Sequence, residues 1–194
     1  ISRDLHDDIG ATLSSINITS SLIQRKTKDH PDMDQLLGGM RNDIKHASEA
    51  LDDIVWSIQP KNDTWPILLS RMRRYASQIL ENSQMAYTID FPELDSHQRM
   101  KIEQRRDVYL IFKEIVNNAA KHSAAQTVTI RFRLHSENLE LEISDDGKGF
   151  DPKSASNRNG LVNLKSRIDR WRGTISFQSE LGKGTRVVVS MPRV

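Results

Sequence analysis

Two hydrophobic periods divide the chain. In its first part, Leu37, Met40, Ile44, Ala47, Leu51, Ile54 and Ile58 are separated by 3, 4, 3, 4, 3 and 4 residues, which is a heptad seam. An earlier stretch carries Leu5, Ile9, Leu13, Ile16 and Ile23 on a broader helical stripe. Between them "KTKDHPDM" (Lys26–Met33) supplies a break, because Pro31 cannot continue a helix through its interior. Residues 2–58 are thus predicted to form a helical hairpin. One pair of helices cannot bury such a stripe on both members, whereas two copies can, as a four-helix bundle. The pattern therefore predicts a homodimer, the alternative being a hairpin folded back on the chain's own second half.

"QPKNDTWP" (Gln59–Pro66) marks the boundary, with Pro60 ending the helix and Asp63 or Thr64 placed to cap the next. Residues 65–83 read as an amphipathic helix, and 97–122 and about 160–171 as further helices. The period then becomes two. "TVTIRFRL" (Thr127–Leu134) puts Val128, Ile130, Phe132 and Leu134 on one face, and "LELEIS" (Leu139–Ser144) does the same with Leu139, Leu141 and Ile143. With "AYTIDF", "TISFQS" and "TRVVVSM", the expectation is a sheet of about five strands with helices on one face. The predicted organisation is α followed by α/β: a hairpin domain over 1–60 and a second domain over 61–194, with 61–83 as its leading helix.

Composition narrows the chemistry. The 194 residues are 37% hydrophobic and 28% charged, with a net charge of +2, the profile of a folded domain. No segment concentrates Lys and Arg, so no directly bound nucleic acid is expected. The absence of cysteine excludes disulfides, thiolate catalysis and cysteine zinc sites. No apolar run approaches the about 20 residues of a membrane span, and a cytoplasmic location is expected. The chain opens at Ile1 within a helical pattern, which predicts a piece of a longer protein. Any membrane attachment would then come from segments outside it.

Four short segments carry candidate ligand chemistry. In "KEIVNNAAKHS" (Lys113–Ser123), Glu114, Asn118 and His122 are spaced by four and share a helix face, with Lys121 beside them. An amide oxygen suits Mg²⁺, a hard ion that keeps several waters and is shared with phosphates. In "SDDGKGFD" (Ser144–Asp151), Asp145 closes a strand while Gly147 and Gly149 permit a tight turn and close approach of backbone to a ligand. A pocket carboxylate accepts from the exocyclic amine of adenine and repels the carbonyl oxygen that guanine presents there. "SNRNGLVNLKSRI" (Ser156–Ile168) leads into a helix near Gly160, whose free N–H groups suit a phosphate. "GKGT" (Gly182–Thr185) sets Thr185 at the start of the last strand. Each signal is weak alone; their order and spacing are what count.

In that order the segments resemble the Bergerat-fold ATPase domain shared by sensor histidine kinases, gyrase-type topoisomerases, Hsp90 chaperones and MutL. "EIVNNAAKH" resembles the N box, "DDGKGF" the adenine box and "NGLVNL" the glycine box, with "GTRVVVSMP" closing, over about residues 84–194. The resemblance implies an α/β sandwich that binds ATP with Mg²⁺. Asn118 would coordinate the metal and Glu114 would position metal or water. Lys121 and His122 would stand at the nucleotide. Asp145 would recognise adenine, and Thr185 would support that end. Gly147, Gly149, Gly160 and Leu161 would shape the pocket and its cover.

"RDLHDDIGATLSSI" (Arg3–Ile16) in turn resembles the phosphoacceptor box of the sensor-kinase subgroup that includes nitrate sensors and the desaturase thermosensor. This implies that His6 attacks the γ-phosphate of ATP and passes the phosphoryl group to an aspartate of a response-regulator receiver domain. An imidazole with an ordinary pKa near 6.5 keeps a lone pair at neutral pH without help. Asp7 would orient the ring and stabilise the developing imidazolium, although neighbours at i and i+1 do not face each other on a helix. Gly10, one turn on, removes bulk where a catalytic domain must approach. One departure stands out: the subgroup often has a glutamine four positions after the acid, and here that position is Ala11. Its side chain cannot hold a water, which puts phosphatase activity in doubt. The alternatives are a Bergerat ATPase or serine-directed kinase of another type, and a dimeric scaffold that does not catalyse.

Overall fold

The computed structural model describes residues 2–26, 31–59, 63–95, 99–151 and 159–193. Side chains at 2–8, 10–11 and 159–161, among others in the helices, lie outside that description. The chain divides into two compact units, Ile1–Pro60 and Lys61–Val194.

The first unit is a hairpin of α1 (Ser2–Lys26) and α2 (Pro31–Ile58), packed against each other. Pro31 opens α2, where its missing N–H costs nothing and its fixed φ suits the first turn. The seam is only partly covered within one chain. Leu37 and Leu51 are buried and Ile44 is half-buried, yet Ile16, Met40 and Ile54 remain 37%, 38% and 40% exposed.

The second unit begins with α3 (Trp65–Asn82), followed by β1 (Ala86–Asp90) and α4 (Ile102–His122). Next come β2 (Thr127–Leu134), β3 (Asn138–Asp145), α5 (Asn159–Arg170), β4 (Thr174–Ser179) and β5 (Thr185–Pro192). The five strands form one mixed sheet in the order β1-β2-β3-β5-β4. Only β1 and β2 run parallel; the other neighbours are antiparallel. Alternation decides the layers. Val128, Ile130, Phe132, Leu139, Leu141, Ile143, Val187, Val189 and Met191 are buried, beneath α3, α4 and α5, which bury Trp65, Leu68, Met72, Phe112, Val116 and Ile168. Apart from Val188, the intervening positions of β2, β3 and β5 are polar. There Glu142 accepts from Arg131 at 2.9 Å and from Arg186 at 2.7 Å. These bonds, that from Arg186 above all, hold its carboxyl below the usual range. This is the expected fold: a helical region followed by an α/β domain with helices on one face of a five-stranded sheet.

Boundaries differ where the main chain finds partners that periodicity does not reveal. The helix expected from residue 97 begins at Ile102. Arg99 forms a bridge with Thr64, the Met100 N–H donates to the Asp63 carbonyl at 2.9 Å, and Lys101 is extended at φ −64, ψ 141. Thr64 occupies the N-cap of α3 without a side-chain cap bond, so its role there is through the main chain. Among the described residues no helix is long and apolar enough to cross a membrane.

Candidate functional site

A cavity of about 790 Å³ opens in the second unit, between α4, the β3–β5 end of the sheet and α5, within the range of small-molecule sites. Helical spacing brings Glu114, Asn118 and His122 to it from α4. The opposite face of the same helix, with Phe112 and Val116 fully buried, is fixed on the core. Asp145 reaches the cavity from the end of β3, Thr185 from the start of β5, Leu164 from α5 and Phe177 from β4. Lys148, Gly149 and Phe150 complete this wall.

Close backbone approaches hold the polar end in shape. A Cβ on Gly147 would lie 2.3 Å from the Ser123 carbonyl oxygen, and that oxygen also accepts from the Lys148 N–H at 2.8 Å. The turn after β3 is thereby tied to the end of α4. Gly149, at φ +60, would bring a Cβ to 2.0 Å from the Glu180 carbonyl. Ser179 joins three segments: its hydroxyl accepts from the Phe150 N–H at 2.9 Å, lies 3.0 Å from the Gly184 carbonyl and is 3.0 Å from the Thr185 hydroxyl. The Asp145 carboxylate accepts the Gly147 N–H at 3.0 Å on Oδ1. Its neighbour Asp146 does a separate job, accepting the Gln126 and Thr127 N–H groups at 2.8 and 2.9 Å and thus closing the β2 end.

Burial pushes the Asp145 carboxyl above its ordinary value, against the lowering effect of N–H groups from Gly147 and Thr185. For an acid raised on folding, the stabilising contribution is complete below the unfolded-state value and is lost as pH rises through the raised one. At neutral pH the ionised group therefore costs apo stability and is available as an acceptor. Asp145→Asn is expected to raise the apo melting temperature at pH 7 while weakening ATP binding on the order of tenfold or more, a charge-assisted bond contributing roughly 1.5–3 kcal/mol. If Asp145 takes the adenine amine, as the sequence resemblance implies, the new amide, with its oxygen engaged by Gly147, would turn its NH₂ toward that amine. Parent affinity should likewise fall as pH drops into the acid range. Calorimetric titration beside thermal melting checks both, and an unchanged ATP affinity would remove Asp145 from the adenine role.

Of the residues singled out in the sequence, Glu114, Asn118, His122, Asp145, Gly149 and Thr185 meet at this cavity. Gly147 backs it through the Ser123 contact. Lys121 is exposed and is not among the lining residues. Gly160 and Leu161 belong to the first turn of α5, and their side chains lie outside the described ones. His6 and Asp7 belong to α1, likewise with undescribed side chains. Sequence reading missed Lys148, Phe150, Leu164 and Phe177. The last had a signal: alternation along "TISFQS" sets Ile175, Phe177 and Ser179 on one face, and Phe177 meets Phe150 edge-on at 6.4 Å.

The Asn118 amide donates to Glu114 at 3.4 Å, which turns its oxygen away from that carboxylate. An amide oxygen beside a carboxylate is a donor set that suits Mg²⁺, an ion bound by one or two protein oxygens together with phosphates.

Residues 103–194 match the family described as histidine kinase-, DNA gyrase B- and HSP90-like ATPase, and residues 1–63 match a histidine kinase family. The chain thus joins a region that matches a histidine kinase family to a domain that matches the histidine kinase-, gyrase- and HSP90-like ATPases. It is 27% identical to the signal transduction histidine-protein kinase/phosphatase DegS of Bacillus subtilis, over 99% of this chain and 52% of that protein. It is 28% identical to the kinase/phosphatase UhpB of Salmonella typhimurium, over 100% of this chain and 38% of that one. The oxygen sensor histidine kinase NreB of Staphylococcus carnosus is 27% identical, over 99% and 55%. The chain thus spans about half the length, or less, of these curated relatives. In fold it is similar to the histidine kinase domain of a blue-light activated kinase from Erythrobacter litoralis, with a TM-score of 0.64 at 17% identity, covering 97% of this chain and 94% of that one. The Acinetobacter baumannii histidine kinase AdeS gives 0.60 at 16%, covering 95% and 94%.

Proposed function

We propose that the chain is the catalytic core of a sensor kinase that phosphorylates its own His6 from ATP and passes the group to a response-regulator aspartate. The observation that carries this reading is the meeting of Glu114, Asn118 and His122 with Asp145 and Thr185 at one cavity, in a chain whose first 63 residues match a histidine kinase family. Asp145 would take the adenine amine. Glu114 and Asn118 would hold Mg²⁺, which neutralises phosphate charge when bound. The His6 lone pair forms an N–P bond as the P–O bond to ADP breaks, and the imidazolium proton leaves to water, with Asp7 steadying the charged ring. The chain would work as a homodimer, which is supported by the exposed seam residues Ile16, Met40 and Ile54. Dependence on ATP would place it on the cytoplasmic side. The test is incubation with γ-labelled ATP with and without Mg²⁺. A label that is acid-labile and base-stable is expected, only with the metal; an acid-stable label would favour a serine-directed kinase.

Ala11 makes a further expected outcome. In the subgroup an acid and an amide four residues apart hold the water that dephosphorylates the receiver. Here Asp7 supplies the acid and Ala11 no acceptor or donor. Ala11→Gln is expected to shorten the lifetime of the phosphorylated receiver several-fold without slowing autophosphorylation. The measurement is that lifetime with parent, variant and no kinase, all without ADP. A parent that already shortens it strongly would refute the argument.

A further inference from the structure

A buried carboxylate outside the cavity ties its two helical walls together. Asp107 lies on α4, two turns before Glu114, with its side chain 4% exposed. Its Oδ1 accepts from Arg167 Nη1 at 3.1 Å and its Oδ2 from Trp171 Nε1 at 2.8 Å. Arg170 Nη1 stands 3.7 Å from Oδ2. All three donors come from the end of α5 and the residue just beyond it.

The division of labour along α5 gives this cluster its meaning. Leu164 and Ile168 are buried and attach α5 to the core, but apolar burial is non-directional and leaves a helix free to slide or turn by fractions of an ångström. Hydrogen bonds from a guanidinium and an indole to different oxygens of one carboxylate are directional. They fix the axial position and rotation of α5 against α4. One turn before Arg167, Leu164 lines the cavity, and two turns before it lies the first turn of α5, with Gly160. The adenine-side groups stand on other elements: Asp145 on β3 and Thr185 on β5, paired in register.

We propose that Asp107 is a positioning residue that sets where the N-terminal turn of α5 stands relative to the Glu114–Asn118–His122 row, and so tunes the phosphate half of the site and not the adenine half. The inference rests on the nucleotide reading above. Its signature is a split between ligands. A residue that merely supports the fold weakens every ligand alike; a residue that places α5 weakens ATP and spares adenosine.

The experiment measures ATP affinity by calorimetry with Mg²⁺, and adenosine affinity by NMR titration, which reads weak binding. It uses the whole chain and the variants Asp107→Asn, Arg167→Gln, Arg167→Lys and Trp171→Phe. Asp107→Asn is expected to lower ATP affinity on the order of tenfold and to leave adenosine affinity within about twofold, since only oriented contacts to phosphate are lost. Arg167→Gln should show the same split, and Arg167→Lys, which keeps a charged donor, should recover part of the ATP affinity. If Asp107→Asn fails to fold, the Arg167 pair and Trp171→Phe carry the same comparison. Equal losses for both ligands, or none for either, would overturn the positioning role while leaving the nucleotide site intact. A parent that binds neither ligand would overturn the nucleotide reading and this inference with it.

Discussion

His6→Gln is expected to remove stable phosphate labelling from the chain altogether while leaving nucleotide affinity unchanged. Labelling requires a nitrogen lone pair that can form a bond to phosphorus, and an amide nitrogen has its pair delocalised into the carbonyl. Glutamine retains size and hydrogen-bonding capacity, so a loss of label would report chemistry rather than packing. Affinity should be spared because the cavity is built within residues 114–187, while His6 belongs to the other unit. The effect should therefore be a loss at the phosphorylation step alone, with an unaltered Kd for ATP. The measurement pairs label incorporation with calorimetric titration on the same preparation. Undiminished labelling of the variant would transfer the phosphoacceptor role to another of the six histidines. Loss of both label and binding would mean that His6 also supports the nucleotide site.

Local signals were enough to read much of this fold, and the places where they failed have a common cause. β2 runs over Thr127–Leu134 as expected, because a half-buried strand declares itself by alternation. α4 starts five residues beyond the position that periodicity predicts, because Arg99 and Met100 satisfy their main chain against Thr64 and Asp63, far off in sequence. The row Glu114, Asn118 and His122 was legible because helical geometry alone puts it on one face. Lys121 was not separable from it, since a neighbour on a helix points about 100° away and only the position of the cavity decides which direction counts. The Asp107 cluster was invisible for the same reason: its bonds join residues 60 and 64 positions apart. A buried aspartate in a helix has no sequence signature that distinguishes it from a solvated one.

The glycines of "ELGKGT" show the same limit of local sequence. Gly182 and Gly184 have nearly the same left-handed backbone, at φ +79 and φ +78, and in the sequence they are indistinguishable turn formers. Their surroundings differ completely. A Cβ on Gly182 would meet nothing within 4 Å. One on Gly184 would lie 2.0 Å from the Asp145 carbonyl oxygen and 3.0 Å from the Asp146 Cα. Neither neighbour is a flexible side chain, so relief requires the backbone of β3 to part from β5 where Asp145 pairs with Thr185. Gly182→Ala is expected to cost only the left-handed strain, about 1–2 kcal/mol, and to keep ATP affinity. Gly184→Ala carries that strain and a clash besides, for a total on the order of 4 kcal/mol or more. It should also abolish measurable ATP binding, because the displaced segment holds the Asp145 carboxylate and the Ser179–Thr185 contact at 3.0 Å. Urea unfolding of the two variants, each with and without ATP, separates strain from clash. Equal destabilisation of the two would mean that the sheet end yields to a methyl group, and that the cavity is not held by this contact.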